Sequence, residues 1–297
     1  MIKIHPKTII RGILRDPREQ ILGEIPEAGA GLNTGLLVAA IKLKEWCGHS
    51  LTEVIDILLP IASERRGRDC LKEVTRQVET AFNSPGKFKA KGPKGTHYEP
   101  GLWREIGIQE TSLADLWEAS PIKWDDGEPH SEEIIDALFP GNPWLCCGQT
   151  AYAFETRRRE DLRGLLSQLS FIVPNPAISK TGATQDGYES EHALSQFPTR
   201  KYVVFEFDAE RDKDIQASII LWLASKRELK LVVDSGSKSL HAWFDAIDVG
   251  EETLLLTYNN LVRLGVDPRT YTRSQFVRMP DGLRDNGNRQ SIIYCNV

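Results

Sequence analysis

Tyr202-Val-Val-Phe-Glu-Phe-Asp208 is apolar on both faces until its end, the pattern of a buried β-strand. Residues two apart on a strand face the same side, so Glu206 and Asp208 project together from its tip. Two neighbouring carboxylates repel each other unless positive charge lies between them. One reading is a pair of surface acids where a strand meets a loop. The other is a seat for a hard divalent cation such as Mg²⁺, which takes carboxylate oxygens.

Two downstream stretches bear on that choice. Asp234-Ser-Gly-Ser-Lys-Ser-Leu-His-Ala-Trp-Phe244 joins a small-residue turn to a strand with Ser239 and His241 on one face. Small residues let a phosphate approach backbone N–H groups, and Lys238 adds charge. His241 is either a structural histidine ahead of Ala-Trp-Phe or a phosphate partner by hydrogen bond or ion pair. Gly265-Val-Asp-Pro-Arg-Thr-Tyr-Thr-Arg-Ser-Gln-Phe-Val-Arg-Met-Pro280 places Asp267 before a proline, where it serves as a turn-opening cap or as a third acid. Arg278, Arg284 and Arg289 follow at spacings that suit a triphosphate, and guanidinium forks match phosphate geometry. Ordinary surface arginines are the alternative.

Around these segments strands alternate with helices. Trp144–Cys147 and Ser170–Val173 read as strands flanking a helix from near Arg159. Ile215–Leu223 and Glu251–Leu264 read as helices, and Leu229–Val233, Ser239–Phe244, Phe276–Met279 and Ser291–Tyr294 as strands. From Tyr202 onward the order is β-α-β-β-α-β, the RRM-like (ferredoxin-like) arrangement within an α+β class.

The first third reads as a helical bundle. Leu36, Leu37, Ala40, Ile41 and Leu43 recur near the helical period, with Gly48 as a stop. Ser50 and Glu53 form a capping box for a second helix that ends before Pro60. Ser63–Arg68 reads as a basic connection, and a third helix runs from about Asp69 to Phe82. This divides the chain into a bundle over 1–83, a Gly/Pro/Lys-rich linker over 84–100 and a second domain over 101–297. Lys87, Lys89, Lys91 and Lys94 make the linker basic: a solvated tether or a nucleic-acid contact.

The 297 residues, 40% hydrophobic and 27% charged, suit a globular protein, and no apolar run approaches a membrane span. A net charge of −5 argues against a uniformly basic protein but leaves local basic patches open. Cys47, Cys70, Cys146, Cys147 and Cys295 lack paired metal spacing, so free thiols in a reducing cytoplasm are expected.

Taken together, Glu206-Phe-Asp208, Ser239-Leu-His241 and Asp267, followed by Tyr271-Thr-Arg273 and Phe276-Val-Arg278, resemble the archaeo-eukaryotic primase superfamily. The likeness is to its primase-polymerase branch and to primases of phages and other mobile genetic elements. It spans Trp144 to the C-terminus and includes Phe154-Glu-Thr-Arg157 and Phe171-Ile-Val-Pro-Asn-Pro176. The N-terminal bundle is similar to small helical domains that accompany such primases. The resemblance implies that Glu206, Asp208 and Asp267 hold Mg²⁺ or Mn²⁺. It also implies that His241, Ser239 and Lys238 bind the nucleotide, with Arg278, Arg284 and Arg289 assisting. Expected partners are a single-stranded DNA template, NTPs or dNTPs and a replicative helicase. Arg157, Arg158 and Arg159 beside Tyr152 and Phe154 are template candidates.

Three departures stand out. The first motif is Glu-x-Asp where many relatives carry Asp first; a Cys/His zinc module is missing; and no Walker-type segment follows. The alternatives are a catalytically inactive replication-initiation DNA-binding protein and a metal-dependent nuclease.

Overall fold

The computed structural model describes residues 21–27, 29, 31–47, 49–83, 97–124, 127–247 and 249–297. They separate into two compact units, one drawn from Met1–Lys91 with Val249–Thr257, the other from Gly92–Asp248 with Tyr258–Val297. The architecture is mixed α and β, with antiparallel sheets. No helix among the described residues is long and apolar enough to cross a membrane.

In the first unit three helices, Leu32–Cys47, Leu51–Arg66 and Leu71–Asn83, bury Leu36, Leu43, Val54, Leu58, Val74 and Val78 in one core. Each such side chain contributes about 2 kcal/mol of burial. The Ser50–Glu53 capping box forms, with the Ser50 N–H donating to the Glu53 carboxylate at 2.7 Å. Pro60 does not end the second helix, as its sequence suggested. It lies inside, between the buried Leu58 and Ala62, and packing on both sides compensates the one ladder bond that proline removes. The helix ends at Gly67, whose φ of 64° closes it, so most of the expected basic connection is its last turn. The Gly48 stop and linker residues 84–96, with all four lysines, lie outside the described residues.

The second unit contains two four-stranded sheets. One runs β2-β1-β3-β9, from β1 (Trp144–Thr150), β2 (Ala153–Arg158), β3 (Phe171–Ile172) and β9 (Val277–Arg278). The other runs β10-β7-β8-β6, from β6 (Tyr202–Glu206), β7 (Leu229–Asp234), β8 (Leu240–Asp245) and β10 (Ile292–Cys295). A small hairpin, β4 (Gly182–Ala183) with β5 (Glu189–Ser190), completes the set. Where a helix was expected near Arg159, short 3₁₀ turns stand at Arg159–Leu162 and Leu166–Gln168.

Alternation sorts β6 cleanly. Tyr202 and Val204 enter a core shared with Leu145, Ile172, Leu231, Val233, Trp243 and Met279, so both sheets line it. Phe205 turns the other way, onto Phe244 and Tyr258. Glu206 therefore ends the strand on the face that carries Tyr202 and Val204.

The last strand does not lie beside the first. β10 pairs with β7 on the far edge, and the place next to β6 is held by a short stretch after the helix Glu251–Arg263. There Phe207 bridges Val266, the Asp208 N–H donates to the Gly265 carbonyl at 3.1 Å, and the Asp267 N–H donates to the Glu206 carbonyl at 2.8 Å. Two bonds on opposite sides of one bridge fix the three acidic positions along adjacent backbones.

Candidate active site

Backbone pairing assembles the acids. Glu206 sits at the end of β6, Asp208 two residues on, and Asp267 across the bridge, capping the 3₁₀ turn Pro268–Tyr271. Gly265 makes the close approach feasible: its φ is 103°, and a Cβ there would stand 2.8 Å from the Glu210 backbone nitrogen. Only glycine adopts that conformation at no steric cost.

Each acid has a distinct neighbour. Asp208 accepts an ion pair from Lys238 at 2.8 Å. Asp267, 7% exposed, takes Arg269 through Nε at 2.7 Å and Nη2 at 2.5 Å, while its other oxygen accepts the Arg269 N–H at 2.9 Å. Glu206 faces His241, its cross-strand partner, with Oε1 and Nε2 3.5 Å apart. Burial, then the Asp267 and Asp208 charges, push the Glu206 carboxyl up to about 7, with Arg278 and Arg269 partly opposing.

His241 is buried on the same face as Trp243, and neither ring nitrogen has a hydrogen-bond partner. Burial, reinforced by Arg278 and Arg284, pulls its pKa down to about 3. The imidazole is thus neutral near pH 7, and of the two phosphate interactions considered for it only the hydrogen bond is available.

The cations form a second group. Arg278 ends β9 with its guanidinium 4.6 Å from the Phe171 ring. Burial and the nearby Arg284 charge hold its pKa below the usual arginine range. Arg284 donates to the Ser235 carbonyl at 2.9 Å, and its buried Nε has no partner. Neither arginine forms an ion pair among the described residues. The two like charges thus stand together near His241, with Glu206 and Asp285 as the carboxylates that attract Arg278.

The turn before β8 borders the cluster. Gly236, at φ 70°, donates its N–H to the Asp234 carboxylate at 2.9 Å, and that carboxylate also pairs with Lys213 at 2.6 Å. Ser239 is buried, its hydroxyl 3.2 Å from that of Ser235. Gln216, on the inward face of the helix Lys213–Ala224, ties both loops: Nε2 donates to the Glu210 and Lys238 carbonyls, and Oε1 accepts the Leu240 N–H.

The remaining candidates part company with this cluster. Arg289 is exposed and donates to the Asp281 carbonyl at 2.9 Å. Arg159, a template candidate by sequence, is fully buried between Glu132 at 2.6 Å and Asp136 at 2.8 Å, so it belongs to the core. Phe154 stacks on His192 and packs on Phe171 and Phe276. Arg158 covers Trp144 at 4.2 Å, and Arg157 pairs with Glu155. Tyr152, at the β1–β2 turn, is 99% exposed. Gly148, Phe154, Arg157 and Leu169 line a cavity of about 370 Å³ beside it.

Sequence reading missed Arg269 and Gln216. Arg269 follows a proline in what looked like a plain turn. Gln216 was detectable as the one amide on an apolar helix face.

Three carboxylates within mutual repulsion stand beside a buried imidazole whose ring nitrogens have no hydrogen-bond partner. Among the described residues no group of three or more His, Cys, Asp or Glu side chains is placed to hold a metal ion. Lys238 and Arg269 hold two of the three acids instead. No family model, curated protein or solved structure matches this chain.

Proposed function

We propose that this protein is a DNA primase or primase-polymerase, a template-directed nucleotidyltransferase acting on NTPs or dNTPs with single-stranded DNA. One observation carries the reading. Arg278 and Arg284, partly buried and without ion pairs, stand beside Glu206, itself crowded by Asp267 and Asp208. A ligand that meets both needs joins a polyanion to a divalent cation, as a metal-bound nucleoside triphosphate does.

The topology supports it too. The order β6-helix-β7-β8-helix is that of an RRM-like core. The backbone at Gly265–Asp267 takes the position beside the first strand that a fourth strand would occupy, with β10 added at the other edge. Buried, free Cys70, Cys146, Cys147 and Cys295 agree with the reducing cytoplasm proposed for it.

In this mechanism a 3′-hydroxyl attacks the α-phosphorus of the incoming nucleotide, and pyrophosphate leaves. Arg278 and Arg284 receive the triphosphate charge, their pairing already set by β9 and the Ser235 carbonyl. His241 offers a neutral hydrogen bond, and the Gly236 turn keeps side chains clear of the phosphates. Glu206, Asp208 and Asp267 would hold Mg²⁺ or Mn²⁺, which supplies charge neutralisation and a more acidic 3′-hydroxyl. Glu206 must lose its proton to take part. Positioning and charge carry such a reaction, so no side chain here has to act as a proton donor to the substrate.

Asp208→Ala tests the proposal. Asp208 is partly exposed, so the variant folds. Expected is a loss of template-dependent extension of about a thousand-fold or more. Unchanged extension overturns the assignment.

A further inference from the structure

The two ion pairs across the acids are more than surface decoration. Lys238 lies on the turn before β8 and Arg269 one residue into the turn capped by Asp267, and each grips an acid assigned to the metal. Their side chains are 43% and 72% exposed, so both heads reach solvent and can leave without breaking the core. When the Arg269 guanidinium leaves, its backbone N–H stays on Asp267 at 2.9 Å, and the carboxylate keeps its place. The His241 ring, 2% exposed with neither nitrogen hydrogen-bonded, stands 3.5 Å from Glu206, an independent sign that a ligand completes this cluster.

We propose that Arg269 and Lys238 are exchange cations: they neutralise Asp267 and Asp208 in the metal-free protein and transfer to the triphosphate when a divalent ion takes those carboxylates. The inference rests on the metal-and-nucleotide reading of the site. Its physical basis is competition. A divalent ion arriving alone must displace an ammonium and a guanidinium, and the freed cations then repel it at close range. With a triphosphate present, the same cations find phosphate oxygens, and the displacement costs little. Metal and nucleotide therefore bind cooperatively, each raising the affinity for the other by the same factor. Arg269 thereby becomes a positioning residue for the substrate phosphates.

The test is a Mn²⁺ titration of the full chain, reading free Mn²⁺ by its paramagnetic resonance signal. It is run with and without a non-hydrolysable nucleoside triphosphate, on wild type, Arg269→Gln, Lys238→Gln and Asp208→Asn. Melting curves confirm that the variants fold. Arg269→Gln and Lys238→Gln are expected to bind Mn²⁺ alone about five-fold more tightly than wild type, the worth of a partly exposed ion pair. They are also expected to gain less affinity from added nucleotide. Equal or weaker binding of Mn²⁺ alone in both, with binding reduced in Asp208→Asn, overturns the exchange and leaves the metal site standing. Tighter binding with the nucleotide gain unreduced also overturns it. No Mn²⁺ bound by any variant, with or without nucleotide, overturns both the exchange and the reading beneath it.

Discussion

Glu206 and His241 face each other across β6 and β8, Oε1 to Nε2 3.5 Å, and burial moves their pKa values in opposite senses. The carboxyl rises from its ordinary 4.5 to about 7, and the imidazole falls from 6.5 to about 3. Near pH 5.5 the folded pair keeps its proton on the acid, whereas in the unfolded chain the imidazole holds it.

That inversion has a pH signature. Glu206 folds with a raised pKa, so it costs stability as pH rises from 4.5 through about 7, and the full penalty remains above. His241 folds with a lowered pKa, so it costs stability as pH falls from 6.5 towards about 3. Between 4.5 and 6.5 the two slopes cancel. Relative to wild type, metal-free Glu206→Gln gains stability with rising pH, on the order of 3 kcal/mol by pH 8. His241→Gln gains in the opposite direction, as pH falls. Urea melts from pH 4 to 8 read both, and parallel trends in the two variants contradict the inversion.

Arg278 is held partly buried beside Arg284, and burial and that like charge outweigh the attraction of Glu206 and Asp285. Arg278→Gln removes that repulsion, so the free protein melts no lower than wild type, while the KM for nucleotide rises about a hundred-fold, worth about 3 kcal/mol of charge-assisted contact. Steady-state kinetics with a melting curve separate this from a structural role, in which stability would fall and KM would hold.

Arg159 carries the opposite expectation. Its buried guanidinium lies between Glu132 and Asp136, so Arg159→Met costs about 2 kcal/mol by removing charge-assisted contacts from carboxylates that keep other partners, and the melting temperature drops. Affinity for single-stranded DNA, measured on the folded fraction, stays unchanged. Arg157→Ala, at an exposed pair, leaves stability as it is.

Gly265 gives the fourth expectation. Its carbonyl accepts the N–H groups of Asp208 and Ala209, and any Cβ would press on Glu210. Gly265→Ala is expected to cost about 2 kcal/mol and to displace Asp208. Mn²⁺ affinity should fall with stability. A variant that loses stability yet binds Mn²⁺ normally would separate the bridge from the acid.

The placement of Glu206 and Asp208 at one strand end, and of His241 on β8, was legible because strand alternation and a Gly turn are local signals. The Ser50–Glu53 box was legible because capping is local. Pro60 misled: a proline ends a helix unless both flanks are packed, and that packing comes from other helices. Arg159 looked like part of a basic run because its partners Glu132 and Asp136 lie more than twenty residues away in sequence. The position of β10 was hidden for a related reason. Which edge a strand joins depends on long-range pairing, and both free edges suit the same apolar pattern.

The central claim is tested most directly by incubating the protein with single-stranded DNA, labelled NTPs or dNTPs and Mg²⁺ or Mn²⁺, with products resolved by length. Expected are labelled strands that lengthen with time, require the divalent ion and vanish in Asp208→Asn. Absence of labelled product under every condition, or shortening of the DNA that depends on Asp208, would contradict a nucleotidyltransferase.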